Sequence, residues 1–247
     1  MQVFDKLYEK YGKDINFELL SKTDDKIVYN VDTPKGEIIV MVVLAVSMVR
    51  FLKYTSSLGV QNLLFDDDMD VAQVFSAYME GKNLVSVQQK IEGINSFPRN
   101  KMNMYKMGEL LGKLHKISAE KKYSDSYMFI KYPNIFTRGI LYLRDLLLKK
   151  ILFNVRYFSL RNFPRGICHR DINQKNIIMR PDGTLALIDF DMHRYQPFVE
   201  GLIRFYKRGL VKKEMFYHFI KGYNSVRPLT KIEKDYIENK LAIKLSL

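Results

Sequence analysis

The sequence predicts an α+β chain with a small antiparallel sheet over residues 1–80 and a larger, mainly helical part over 81–247. Three observations carry that prediction. Early β-branched runs are separated by turn chemistry. From about Asn100 the apolar residues recur at helical spacing. Late in the chain, short apolar runs flank the turn Arg180-Pro181-Asp182-Gly183 and interrupt the helices.

The elements follow in order. Lys26 to Val31 and Glu37 to Val43 read as strands, joined by Asp32-Thr33-Pro34-Lys35-Gly36. A helix is expected from Ser47 to Ser57, stopped by Gly59. Gln61 to Phe65 and Ala72 to Tyr78 read as further strands around Asp66-Asp67-Asp68, and Gly81 marks a break. Met104, Met107, Leu110, Leu111, Leu114 and Ile117 share one helical face, as do Ile135, Ile140, Leu141, Leu143, Leu146 and Leu147. Gly166-Ile167-Cys168, Asn176 to Met179 and Leu185 to Phe190 form the short β segment. Amphipathic helices are expected at 198–208, 212–222 and 230–243.

Composition narrows the function classes. With 47% hydrophobic and 27% charged residues in 247, the chain can bury a core and is not a disordered protein. Forty basic against 27 acidic residues leave +13, which suits nucleotide phosphates, nucleic acid, an anionic surface or an acidic protein. Nucleic acid is not the expected partner, because no such motif accompanies the basic residues Arg156, Arg161, Arg165, Arg204, Lys207, Arg208, Lys212 and Lys213. A single cysteine, Cys168, excludes an internal disulfide and favours a reducing compartment. The apolar run Ile38 to Val49 has twelve residues, whereas a membrane span needs about 20. Met1 to Lys13 alternates charged and apolar residues, unlike a secretory signal. No membrane partner is expected.

The chemistry concentrates in His169-Arg170-Asp171-Ile172-Asn173-Gln174-Lys175-Asn176. An Asp followed five positions later by an Asn, on a loop after a short strand, matches a kinase catalytic loop. The carboxylate of Asp171 can accept the proton of an attacking hydroxyl, and the Asn176 amide oxygen is a hard ligand suited to Mg2+. Ile188-Asp189-Phe190-Asp191 then ends an apolar strand on a carboxylate, Asp189, at the position from which kinase-type folds present their second metal ligand. Either motif alone would be compatible with turn residues; both in order around a hairpin point to phosphoryl transfer.

With these motifs the sequence resembles the aminoglycoside phosphotransferase and choline kinase superfamily, and within it the CotS group of spore-coat-associated kinase-like proteins. Gly36 to Met41 looks like the family's third strand and Tyr78-Met79-Glu80-Gly81 like its hinge. Gly108 to Ser118 resembles the first large-lobe helix, and Phe216 to Leu229 a late helix with its turn. The resemblance implies a bilobal protein-kinase-like fold with ATP and Mg2+ as cofactors. Asp171 would be the catalytic base, Lys175 would reach the transferred phosphate, and Asn176 and Asp189 would hold the metal. Backbone groups at Tyr78, Met79 and Gly81 would take the adenine edge. It also implies a hydroxyl-bearing acceptor and a cytoplasmic or spore-coat location, with coat proteins as candidate partners.

Departures from the family pattern are concentrated near the nucleotide. The third-strand lysine is replaced by Met41, no acidic residue lies between Ile38 and Asp66, and Ser21 to Lys26 holds no glycine. Lys26, Arg50 and Lys53 are the nearby cations that could substitute. Met41 is expected to pack among Ile38, Val40 and other apolar side chains. A pseudokinase acting as a binding or structural component is the alternative reading.

Overall fold

The structure, a computed structural model, describes residues 4–121, 160–208 and 211–245. The helical pattern Ile135 to Leu147 and the basic Arg156 lie outside the described residues. The chain divides into two units, Met1–Ser96 with Lys175–Asp191, and Phe97–Gln174 with Met192–Leu247.

The first unit is built on a five-stranded antiparallel sheet. Its strands are β1 (Asn16–Lys22), β2 (Lys26–Thr33), β3 (Gly36–Val43), β4 (Val74–Glu80) and β5 (Asn83–Gln89), in the order β1-β2-β3-β5-β4. Strand alternation gives β3 two buried faces. Ile38, Val40 and Val42 pack with Val31, Val85, Val87 and Leu7 of helix α1 (Asp5–Tyr11). Met41 and Val43 point the other way, into a cluster with Tyr54, Leu58, Val74 and Leu84. Met41 is therefore buried in apolar company, as expected, but Ile38 and Val40 lie on the opposite face.

Helix α2 (Met48–Asp66) starts where Ser47 caps it, accepting a hydrogen bond from the Arg50 amide. It runs past Gly59, which the sequence had suggested as its end. Gln61 to Phe65, expected as a strand, is its last part. Two amides fix that outcome. The Gln61 side chain donates to the Ala72 carbonyl at 2.8 Å, and the Asn62 side chain accepts from the Val74 amide at 2.7 Å and donates to its carbonyl at 3.0 Å. Val60, Leu63 and Leu64 are buried on the same helix. The division expected at residue 80 also shifts, because β4 turns at Gly81 into β5 and the unit continues to Ser96.

In the second unit α3 (Lys101–Glu120) begins at Asn100, whose side chain accepts from the Asn103 amide at 2.8 Å. Strand β6 (Arg165–Cys168) comes next among the described residues. The hairpin strands β7 (Ile177–Met179) and β8 (Leu185–Leu187) belong to the first unit, and β9 (Arg194–Pro197) returns to pair with β6. Helices α4 (Phe198–Lys207), α5 (Lys213–Val226) and α6 (Lys231–Leu241) also belong to this unit. Cys168 is fully buried, its thiol directed at the Gln196 carbonyl. Close backbone approach defines the packing of α3 on α5: a Cβ at Gly222 would sit 1.9 Å from the Tyr105 carbonyl oxygen, and one at Gly108 equally close to that of Phe219.

Candidate active site

In the first unit the β7–β8 hairpin positions two of the expected site residues. Register Ile177↔Leu187 places Asn176 opposite Ile188, and the Ile188 amide donates to the Asn176 carbonyl at 3.0 Å. Asp189 follows at once, with φ of 61°, a left-handed conformation that Asp tolerates better than most side chains. Asn176 is buried, while Lys175 beside it is exposed. Leu187 is tied to the unit by its amide N–H, which donates a hydrogen bond to the Asp70 carbonyl at 2.8 Å.

The carboxylates beyond β8 have a partner that the motif did not name. Lys26 Nζ lies 3.2 Å from Asp189 Oδ2 and 3.0 Å from Asp191 Oδ2. Ser57 of α2 donates to Asp191 Oδ1 at 3.3 Å. The Asp191 side chain is only 14% exposed, against 35% for Asp189. Burial, followed by the Asp189 charge, pushes the Asp191 carboxyl up to about 6 despite Lys26. Burial opposes the charged form of Lys26, but the Asp191 and Asp189 carboxylates together outweigh it and raise its pKa.

In the second unit, His169 is fully buried and its Nδ1 accepts from the Asp171 amide at 3.4 Å. Arg170 has φ of 66°, and its carbonyl accepts from Arg204 Nε at 3.0 Å. Asp171 forms an ion pair with Arg208, at the C-terminal end of α4. The loop is thus anchored from below by His169 and from the side by two arginines of one helix.

The expected adenine-edge residues have a different setting. Tyr78 and Met79 belong to β4, paired with Val85 and Leu84, and Gly81 is the turn with φ of 58°. Tyr78 packs toward the α1 face, where burial and then the Glu80 charge push its hydroxyl up to about 12. Met79 packs toward the α2 face. This stretch is a hairpin within one unit rather than a link between units. Sequence reasoning weighed Lys26 without choosing it and missed Ser57, the pairing of Arg208 with Asp171 and the part played by Asp191. The visible signal was Asp191 itself, an acidic residue where the protein-kinase motif has glycine.

Solved structures share this architecture. An aminoglycoside phosphotransferase from Alicyclobacillus acidocaldarius aligns with TM-score 0.59 and 16% identity, covering 93% of this chain and 79% of that one. An ethanolamine kinase from Plasmodium vivax aligns with TM-score 0.61 and 16% identity over 94% and 73%. The spectinomycin phosphotransferase APH(9)-Ia, solved with ADP and spectinomycin, gives 0.60 and 13% over 95% and 82%. At these identities the likeness is one of fold, and it agrees with the α+β class expected from the sequence. No curated protein matches the chain in sequence. The sequence model of the phosphotransferase enzyme family does, over residues 21–214, a span that holds the Asp171 loop, the Asn176 hairpin and Lys26. The chain belongs to the phosphotransferase enzyme family.

Proposed function

We propose that the chain transfers the γ-phosphoryl group of ATP to a hydroxyl acceptor, with Asp171 facing the acceptor and Asn176 and Asp189 binding Mg2+. The observation that carries this reading is the hairpin that brings Asn176 beside Ile188, immediately before Asp189, in a chain of this family. The donor set suits Mg2+, which takes one or two carboxylates and completes its octahedron with phosphate and water. When bound, the ion supplies positive charge at the phosphate oxygens.

Asp171 accepts a hydrogen bond from the acceptor hydroxyl and aims its oxygen at the γ-phosphorus. The new P–O bond forms as the bond to the β,γ-bridging oxygen breaks; ADP departs, and the hydroxyl proton passes to Asp171. Arg208 holds that carboxylate in place, and Lys175 is positioned by sequence to meet the transferred group. The basic end of α4, with Arg204, Lys207 and Arg208, favours a neutral or anionic acceptor over a polycationic aminoglycoside. Tyr78 to Gly81 are not part of this reading, since they form a strand and its turn. A CotS-like placement rests on the sequence resemblance described above.

The buried Met41 favours a second reading, a binding protein without turnover. ADP release from Mg-ATP with a panel of hydroxyl compounds separates the two. Asp171→Ala should abolish transfer and leave the domain folded, whereas Asp189→Ala should remove Mg2+-dependent nucleotide binding. Nucleotide binding with no transfer to any acceptor would favour the second reading; equal turnover in wild type and both variants would sink the assigned roles.

A further inference from the structure

Positive charge for a polyphosphate has to come from somewhere near Asp189, and β3 does not supply it. Met41 sits in an apolar cluster with Val43, Tyr54 and Leu58. Of the three nearby cations, Arg50 pairs with Asp25 at 3.0 Å on an exposed surface, and Lys53 lies over the Tyr54 ring, 5.0 Å from its centroid. Lys26 differs from both. Its side chain is 20% exposed and its ammonium contacts the candidate metal ligand Asp189 directly.

Register shows how a neighbouring strand could take over. Val28 of β2 pairs with Met41, and Lys26 pairs with Val43. Residues two apart on a strand share a face, so Lys26 lies on the same face of the sheet as Met41. One step across and two along is about 8 Å between Cα atoms, a shift that a lysine's long flexible stem can absorb. The charge has changed strands while staying on one side of the sheet.

The missing acidic residue of α2 has a counterpart as well. Where a lysine needs a carboxylate to orient it, α2 offers Ser57, and Ser57 donates to Asp191 rather than to the lysine. Asp191, the less exposed of the two carboxylates, lies 3.0 Å from Lys26. An isolated buried ammonium is costly and a paired one much less so. One lysine between two aspartates also permits a division of labour: Asp191 keeps the ammonium in place while the more open Asp189 turns to a metal ion.

We propose that Lys26, oriented by Asp191 and Ser57, is the phosphate-binding cation of this protein, supplied from β2 in place of β3. The inference rests on the phosphotransferase reading and goes beyond it by assigning the residue that contacts the nucleotide's phosphates.

Calorimetric titration of the full chain with adenosine, Mg-ADP and Mg-ATP tests it. Lys26→Ala should weaken Mg-ADP and Mg-ATP by about tenfold to a hundredfold, the value of a charge-assisted hydrogen bond, and leave adenosine affinity unchanged. Asp191→Asn should weaken the two phosphorylated ligands in the same pattern but less. Lys26→Arg, which keeps the charge, should retain more affinity than Lys26→Gln, and this pair gives the same reading should the alanine variant fold poorly. Equal losses for adenosine and both phosphorylated ligands would make Lys26 a structural residue and overturn the proposal. Unchanged Mg-ATP affinity in Lys26→Ala, with loss in Asp189→Ala, would overturn it and leave the phosphotransferase reading standing. A wild-type chain that binds neither Mg-ADP nor Mg-ATP would overturn both.

Discussion

Asp189 combines a conformational demand with a chemical one. Its φ of 61° belongs to the region that only Gly, Asn and Asp visit readily, while its carboxylate is the candidate metal ligand. Asp189→Asn separates the two, because it keeps the tolerance and removes the charge. The variant should stay within about 1 kcal/mol of wild type in urea denaturation, since the pair with Lys26 is partly exposed, and should lose Mg2+-dependent nucleotide binding in calorimetry. His115 makes a separate prediction. Its ring is fully buried, stacked on Phe198 with centroids 4.4 Å apart, and its Nδ1 lies 2.9 Å from the Tyr223 hydroxyl. Burial, and then the Arg227 charge, hold its pKa well below the ordinary 6.5. Arg227 also bonds the Tyr223 hydroxyl at 2.8 Å and the buried Glu233 at 2.9 Å. As pH falls below 6.5 the unfolded chain takes up a proton that the folded ring refuses, so stability is intact above that value and lost below it. His115→Gln should flatten this acid limb in pH-dependent melting.

At the scale of elements, the α3–α5 contact leaves no room for an added side-chain atom at Gly108 or Gly222. With Gly222 against the Tyr105 carbonyl, one added methyl forces the helices apart. Gly222→Ala should cost about 1–3 kcal/mol, read as a lowered urea midpoint at unchanged slope. Elements of this kind were legible in the sequence where local pattern and turn chemistry agreed. Asp32 to Gly36 joined β2 to β3, Arg180 to Gly183 joined β7 to β8, and α4, α5 and α6 fell close to their expected ranges. Legibility failed where a contact from elsewhere decided the outcome. The extension of α2 past Gly59 depends on Gln61 and Asn62 reaching Ala72 and Val74, and β-branched composition could not reveal those partners. The candidate site divides similarly. Asp171, Asn176 and Asp189 could be singled out by their spacing, since loop and hairpin are local features. The pairing of Lys26 with Asp191 joins residues 165 apart in sequence, and only a folded sheet brings them together.

For the molecule as a whole, +13 is a load that the fold carries at every pH near neutral. Like charges repel across a compact chain more than across an unfolded one, and salt shortens that repulsion to a Debye length of about 8 Å at physiological strength. The melting midpoint should therefore rise when sodium chloride is raised from low concentration to that range; an unchanged or lower midpoint would show that local pairs such as Lys26–Asp191 outweigh the global repulsion. The buried Cys168 makes opening of the second unit measurable without any label. Burial pushes its thiol pKa up, so the nucleophilic thiolate is suppressed in the native state. A disulfide reagent in excess should then react slowly, at a rate set by how often β6 and β9 separate, and reach the same full stoichiometry at once in denaturant. Because no other thiol competes, the absorbance of the released chromophore would serve as a clock for that event.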